Sequence, residues 1–81
     1  METRLSEENK EFMMDLLAVL RKQIQMDYED MALIMMQINT EEKLEQFKAW
    51  LRTKLEDGKF QTTPIEVMNM TAQIGKITIQ E

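Results

Sequence analysis

The sequence predicts an all-α fold, a small bundle of four helices that forms one domain over residues 1–81. Three observations support this prediction. A chain of 81 residues can bury one thin hydrophobic core and no second one. With 43% apolar and 31% charged residues, the composition is that of a globular protein. Finally, capping residues precede four segments whose content or periodicity favours helix.

The first helix is predicted over residues 7–26. Ser6 is a good N-cap because its hydroxyl oxygen can accept a hydrogen bond from a free backbone N–H group of the first turn. Glu7 and Glu8 place negative charge at the positive end of the helix dipole. Seven apolar residues share one arc of about 160°: Phe12, Met13, Leu16, Leu17, Val19, Leu20 and Ile24.

A second helix is predicted over residues 28–38, with Asp27 as its N-cap. The pattern of the first helix breaks at residues 27–30 and indicates a bend, although one continuous helix is the alternative. Seven of the eight residues 31–38 are apolar, so periodicity alone does not separate a helix from a buried strand. Their Met, Leu and Ala content favours a helix.

The third helix is predicted over residues 41–57, with Thr40 as its N-cap and Gly58 just past its end. Its apolar arc consists of Leu44, Phe47, Trp50, Leu51 and Leu55. Residues 59–62 are predicted to form a loop in which Phe60 packs against the core.

A fourth helix is predicted over residues 64–74. Thr63 caps it, Pro64 occupies its first position and Glu66 completes a capping box. A strand is the alternative, because apolar and polar residues alternate through residues 68–74. Residues 76–81 are predicted to be a short extended tail or a frayed end.

The charge and the missing residue types exclude several classes of function. The chain has no cysteine and no histidine, which excludes disulfides, thiolate metal sites and histidine general bases. A net charge of −5 disfavours binding to nucleic acid and to anionic membranes. With no stretch of about 20 apolar residues and an acidic N-terminus, we expect a cytoplasmic protein.

Clustered carboxylates raise the possibility of a magnesium site. Glu8 and Glu11 form an E-x-x-E pattern, and Asp27 and Asp30 follow at a similar spacing. This spacing resembles that of the all-α nucleoside-triphosphate pyrophosphohydrolases, although Asp27 stands where their pattern has glutamate. The resemblance implies a magnesium-dependent nucleotide hydrolase, which is the third functional hypothesis. Acidic residues also favour helix N-termini for purely electrostatic reasons.

The second hypothesis is a helix-turn-helix transcriptional regulator, formed by the helices 28–38 and 41–57. Its candidate DNA contacts are Lys43, Gln46, Lys48 and Arg52. Acidic residues at the start of the third helix oppose this hypothesis, because they would repel phosphates.

The favoured hypothesis is a noncatalytic protein-interaction module. Residues 31–38 are apolar in nearly every direction, so three other short helices would leave part of them uncovered. Methionine, with nine copies in the chain, suits adaptable binding surfaces. The predicted interface residues are Met31, Met35, Met36, Ile38, Met68, Met70 and Ile74.

We expect this interface to join two copies in a homodimer, with a heteromeric protein partner as the alternative. The size, acidity and helical content are similar to those of many small bacterial regulatory, inhibitor, immunity or phage-encoded proteins. No catalytic residue, metal, cofactor or small-molecule substrate is predicted.

Overall fold

A computed structural model describes residues 3–76 of the chain, and within this range the predicted all-α class is confirmed. Four helices and one short hairpin follow one another along the chain. Their bounds are α1 Glu7–Ile24, α2 Tyr28–Gln37, α3 Glu41–Lys54, β1 Leu55–Glu56, β2 Lys59–Phe60 and α4 Pro64–Gly75. None of these helices is both long enough and apolar enough to cross a bilayer.

Each helix begins at its predicted N-cap. In every case the side-chain oxygen of the cap accepts a hydrogen bond from the backbone N–H group three residues later, which satisfies one otherwise free donor. The pairs are Ser6 with Asn9 (3.1 Å), Asp27 with Asp30 (2.9 Å), Thr40 with Lys43 (3.2 Å) and Thr63 with Glu66 (3.2 Å).

The first helix is shorter than the predicted range 7–26. It ends at Ile24 because Gln25 adopts a left-handed conformation with φ of 61°, which stops the helical hydrogen-bond ladder. Met26 then turns into the core. The bend predicted at residues 27–30 is therefore a true break, and α1 and α2 are two separate helices.

The predicted end of the third helix at residue 57 is wrong. The helix ends at Lys54, and Leu55 and Glu56 pair with Phe60 and Lys59 in an antiparallel hairpin. Asp57 and Gly58, with φ of 53° and 76°, are the two residues of its turn. Positive φ at both central positions matches the right-handed twist of the strands. Gly58 is thus a turn residue of the hairpin, outside any helix C-terminus.

The fourth helix is confirmed as a helix and extends one residue beyond the predicted range 64–74. Its buried stripe consists of Val67, Thr71 and Ile74. Thr71 appears polar in the sequence, but its hydroxyl donates a hydrogen bond to the Met68 carbonyl oxygen (3.1 Å), so it is buried at little cost. Residues 77–81, which make up most of the predicted tail, lie outside the described residues.

The core lies where α4 packs against α2 and α3. Gly75 of α4 allows close approach to α2, since a Cβ atom there would lie 3.2 Å from the Gln37 Cβ. Phe60 of the hairpin packs against the core as predicted. The buried apolar residues form one cluster: Leu5, Met13, Leu17, Leu20, Met26, Ile34, Ile38, Leu44, Phe47, Leu51, Val67 and Ile74.

The N-terminal segment, residues 3–6, crosses the beginning of α3. Thr3 donates its N–H to Glu42 Oε1 (2.7 Å) and accepts the N–H of Glu41 (2.7 Å). Glu41 in turn accepts hydrogen bonds from the Ser6 N–H (2.8 Å) and the Asn9 side-chain amide (2.5 Å). The two carboxylates therefore tie the start of α1 to the start of α3.

Candidate functional site

An apolar surface runs along the outer side of α1 and α2. Its exposed methionines are Met14 and Met36, whose exposed fractions are 64% and 71%, and Tyr28 between them is 67% exposed. Half-buried Met31 and Met35 form its floor. We call this surface the methionine face, and it consists of Met14, Ala18, Tyr28, Met31, Ala32, Met35 and Met36.

The spacing of residues along α2 explains why this face is continuous. Tyr28, Ala32 and Met36 are four residues apart, so they form one ridge along the helix. Beside the ridge, α1 and α2 enclose an open hollow of about 330 Å³. It is lined by Met14, Leu17, Tyr28, Met31, Ala32 and Met35.

One cation is fixed at the end of the methionine face. The guanidinium carbon of Arg21 lies 4.3 Å from the centre of the Tyr28 ring, a distance at which a cation is attracted to an aromatic face. This contact holds the tyrosine against α1. It leaves the phenol group and one side of the ring open to a partner.

The structure divides the predicted interface residues into three groups. Met31 and Met35 line the hollow beside α1, and Met36 continues the ridge of Tyr28 and Ala32. Met68 and Met70 are half-buried on α4, where they pack against the core, and neither lines the hollow beside Met31.

Two of the predicted interface residues are core residues. Ile38 is fully buried and Ile74 is 3% exposed, so a partner cannot contact either of them while the chain is folded. Their inclusion in the interface is corrected for this reason. Both side chains are covered where α2 packs against α4.

Sequence reasoning missed four residues of the face: Met14, Ala18, Tyr28 and Ala32. Met14 and Ala18 are four residues apart and lie outside the apolar arc of α1, a spacing that places them together on the other side of the helix. Tyr28 was detectable from its spacing to Ala32 and Met36. The sequence alone could not show that α1 and α2 bring these residues together.

The exposed side of α1 carries charges of opposite sign at its two ends. Glu11 and Lys22 are eleven residues apart, which is about three helical turns, so they lie on one side of the helix. Neither makes an ion pair with another of the described residues. Between them lies the small residue Ala18, which leaves room for another helix to approach closely.

The carboxylates of the magnesium hypothesis are not brought together. Glu8 and Glu11 lie in the first two turns of α1, whereas Asp27 and Asp30 lie beyond its other end. At 1.5 Å per residue, Glu11 and Ile24 are roughly 20 Å apart along the helix. Within residues 3–76, no group of three or more Asp or Glu side chains is placed to hold a metal ion.

The start of α3, which would approach bases in the helix-turn-helix hypothesis, is occupied by the chain itself. The N-terminal segment binds the carboxylates of Glu41 and Glu42. Accepting the Thr3 N–H lowers the pKa of Glu42, which keeps this carboxylate charged. A negative charge at this position opposes contact with phosphate.

The remaining candidate DNA contacts do not form one basic surface. Lys43 is half-buried, while Lys48 and Arg52 face a groove beside α1. The Lys48 ammonium lies 5.2 Å from the centre of the Phe12 ring and 3.5 Å from Glu45. No observation therefore favours the DNA-binding hypothesis.

The fold and its exposed apolar face define a small, mostly helical protein. The sequence matches no protein-family model. Comparison with curated proteins and with solved structures gave no significant match.

Proposed function

We propose that this chain is a noncatalytic protein-interaction module that buries its methionine face against a second copy of itself. The exposure of Met14, Tyr28 and Met36 is the observation that supports the proposal. Large apolar side chains that stand close together on a surface are typical of interaction sites. Methionine and tyrosine are enriched at such interfaces.

Burial of this face is energetically favourable because the core does not use it. Removing one methionine side chain fully from water stabilises an assembly by about 1.5–3 kcal/mol. Met14 and Met36 are mostly exposed in the single chain, so most of this energy is still available to an assembly. The unbranched methionine side chain also adapts its shape to an opposing surface.

The charges on α1 support a second copy as the partner. Twofold pairing of antiparallel α1 helices, centred between Met14 and Ala18, would place Glu11 of one copy opposite Arg21 and Lys22 of the other. The same contact would occur twice, since a twofold interface repeats each pair. The arrangement is thus self-complementary in charge, with Met14 and Ala18 near its centre.

The biological context that we propose is that of a small cytoplasmic regulatory or inhibitor protein, including immunity and phage-encoded proteins. Supporting features are the net charge of −5 and the small size of the chain. The alternative partner is a different protein that covers the same methionine face.

Substitution of Met36 by aspartate tests the proposal. Met36→Asp puts a charge on an exposed side chain, so the chain should still fold, but the charge would be desolvated in the dimer. We expect sedimentation equilibrium to give the 9.7 kDa mass of one chain at concentrations where the unsubstituted protein has twice that mass. Met14→Asp should behave in the same way.

Ile65→Asp is the matched control. Ile65 is 73% exposed, yet it lies at the start of α4, away from the methionine face. This variant should remain a dimer. If all three variants keep the dimeric mass, the dimer does not use the methionine face and the proposal is wrong.

A further inference from the structure

A second apolar surface lies on the other side of α1, where α3 and the hairpin meet it. Leu51 and half-buried Leu16 and Phe60 form its floor, and the exposed side chains of Phe12 and Leu55 form its walls. We call it the phenylalanine groove, lined by Phe12, Leu16, Lys48, Leu51, Arg52, Leu55 and Phe60.

The groove has a fixed shape because Gln23 anchors the hairpin to α1. The Gln23 side-chain oxygen accepts the N–H of Phe60 (2.8 Å), and its amide nitrogen donates to the carbonyl oxygen of Gly58 (3.3 Å). This bidentate contact holds Phe60 beside Leu16. A partner would therefore meet a preformed floor, which lowers the entropy cost of binding.

The charge of the groove is opposite to that of the chain. Lys48 and Arg52 stand at its edge, no acidic residue lines it, and the whole chain has a net charge of −5. Arg52 is exposed and has no ion-pair partner among residues 3–76. Lys48 lies over the Phe12 ring at the wall of the groove and is also 3.5 Å from Glu45, so Arg52 is the cation that a partner would meet unpaired.

We propose that the phenylalanine groove binds an acidic amphipathic helix of another protein. Lys48 and Arg52 are one turn apart on α3, a spacing that matches carboxylates three or four residues apart on a partner helix. The apolar side chains of that helix would enter the groove between the two cations and the hairpin. This is the mode in which grooves between helices bind amphipathic helices.

The size of the groove also favours a peptide side chain over a small molecule. Its volume of about 260 Å³ is below the roughly 300–1,000 Å³ of ordinary small-molecule sites. One or two apolar anchors of a helix fit such a space. The groove and the methionine face lie on opposite sides of α1, so the two partners would not compete and this inference does not depend on the proposed dimer.

Two synthetic peptides of about 20 residues, long enough to be helical, test the proposal. Both peptides carry the same leucines along one face of the helix. They differ only in the residues that flank this face, which are glutamates in one peptide and lysines in the other. Each is titrated into the full chain labelled with ¹⁵N. We expect the glutamate peptide to bind and to shift the amide resonances of Phe12, Leu51 and Phe60, and the lysine peptide not to bind.

Arg52→Glu should weaken the binding of the glutamate peptide about fivefold or more, because an attraction at the groove becomes a repulsion. Lys76→Glu, an equal change of charge at an exposed residue after α4, should leave the affinity within about twofold. Neither substitution should change the mass of the assembly. Equal binding of both peptides, shifts confined to another surface, or an unchanged affinity of Arg52→Glu would each overturn the proposal, as would no binding at all.

Discussion

Asp57 and Gly58 decide where α3 ends. Both residues have positive φ, and a two-residue turn of this kind reverses the chain into a hairpin. The apolar spacing of α3 continues as far as Leu55, so periodicity alone extends the helix to residue 57. The Asp-Gly pair was the local signal against this extension, but the strands on either side of it are only two residues long.

Gly58→Ala should lower the free energy of unfolding by about 1 kcal/mol, because an alanine at positive φ is strained. A Cβ atom at this position would meet no atom within 4 Å, so backbone strain is the only cost. Urea denaturation measures the change. The control is Asp57→Asn, which tolerates positive φ and should change stability by less than about 0.5 kcal/mol. An unchanged stability of Gly58→Ala would contradict the turn conformation.

The starts of the helices were predictable, and one buried polar residue was not. A cap acts within three residues of its own position, so the sequence contains the complete signal at Ser6, Asp27, Thr40 and Thr63. The buried stripe of α4 was hidden because Thr71 counts as polar in any hydropathy pattern. Its burial depends on a hydrogen bond that forms only within the helix itself.

Thr63→Ala should lower the free energy of unfolding by about 1 kcal/mol, because the Glu66 N–H would lose its cap oxygen. Thr63→Ser keeps this oxygen and should restore most of the loss. Both variants are compared by chemical denaturation. An unchanged midpoint for Thr63→Ala would mean that this cap does not stabilise α4.

The contact between the N-terminal segment and α3 should make stability depend on pH. In this contact the Thr3 N–H lowers the pKa of Glu42. At the start of α4 the Thr62 hydroxyl lowers the pKa of Glu66, and the charge of Lys54 makes a smaller contribution in the same direction. A carboxyl group whose pKa is lower in the folded state contributes its full stabilisation when the pH is above its pKa in the unfolded state, which is about 4.3 for glutamate. This contribution is lost as the pH falls below that value and through the lowered folded pKa.

Glu42→Gln should therefore reduce the loss of stability between pH 7 and pH 3. Glutamine cannot ionise, so the variant has no contribution from this group to lose. Urea midpoints of both proteins at the two pH values measure the difference. Equal losses in the two proteins would show that the Glu42 carboxylate does not stabilise the N-terminal segment.

Across the entire chain, α1 separates two apolar surfaces of different character. Met14 and Ala18 on one side belong to the methionine face, and Phe12 and Leu16 on the other side belong to the phenylalanine groove. The sequence placed all four residues on one helix. The packing of α2, α3 and the hairpin around that helix determines which of the four side chains stay exposed. This packing depends on contacts between residues far apart in the sequence, so no short segment reveals it.

The predicted interface stays a prediction, and the structure places its residues in different environments. The excess of apolar residues in α2 led to Met31, Met35 and Met36, of which Met31 and Met35 line the hollow beside α1 and Met36 is exposed. The same reasoning assigned Ile38 and Ile74 to the interface, because it could not show that α2 and α4 cover each other. Helix periodicity identifies apolar sides, but only the packing of helices shows which sides remain uncovered.

The mass of the unsubstituted chain in solution, measured by light scattering over a range of concentrations, tests the central proposal most directly. If the methionine face joins two copies, the mass should approach twice 9.7 kDa at micromolar concentration. On dilution the mass should fall toward that of one chain. High salt should have the same effect, because it screens the attraction between Glu11 of one copy and Lys22 of the other. A mass of 9.7 kDa at the highest concentration would contradict self-association through this face.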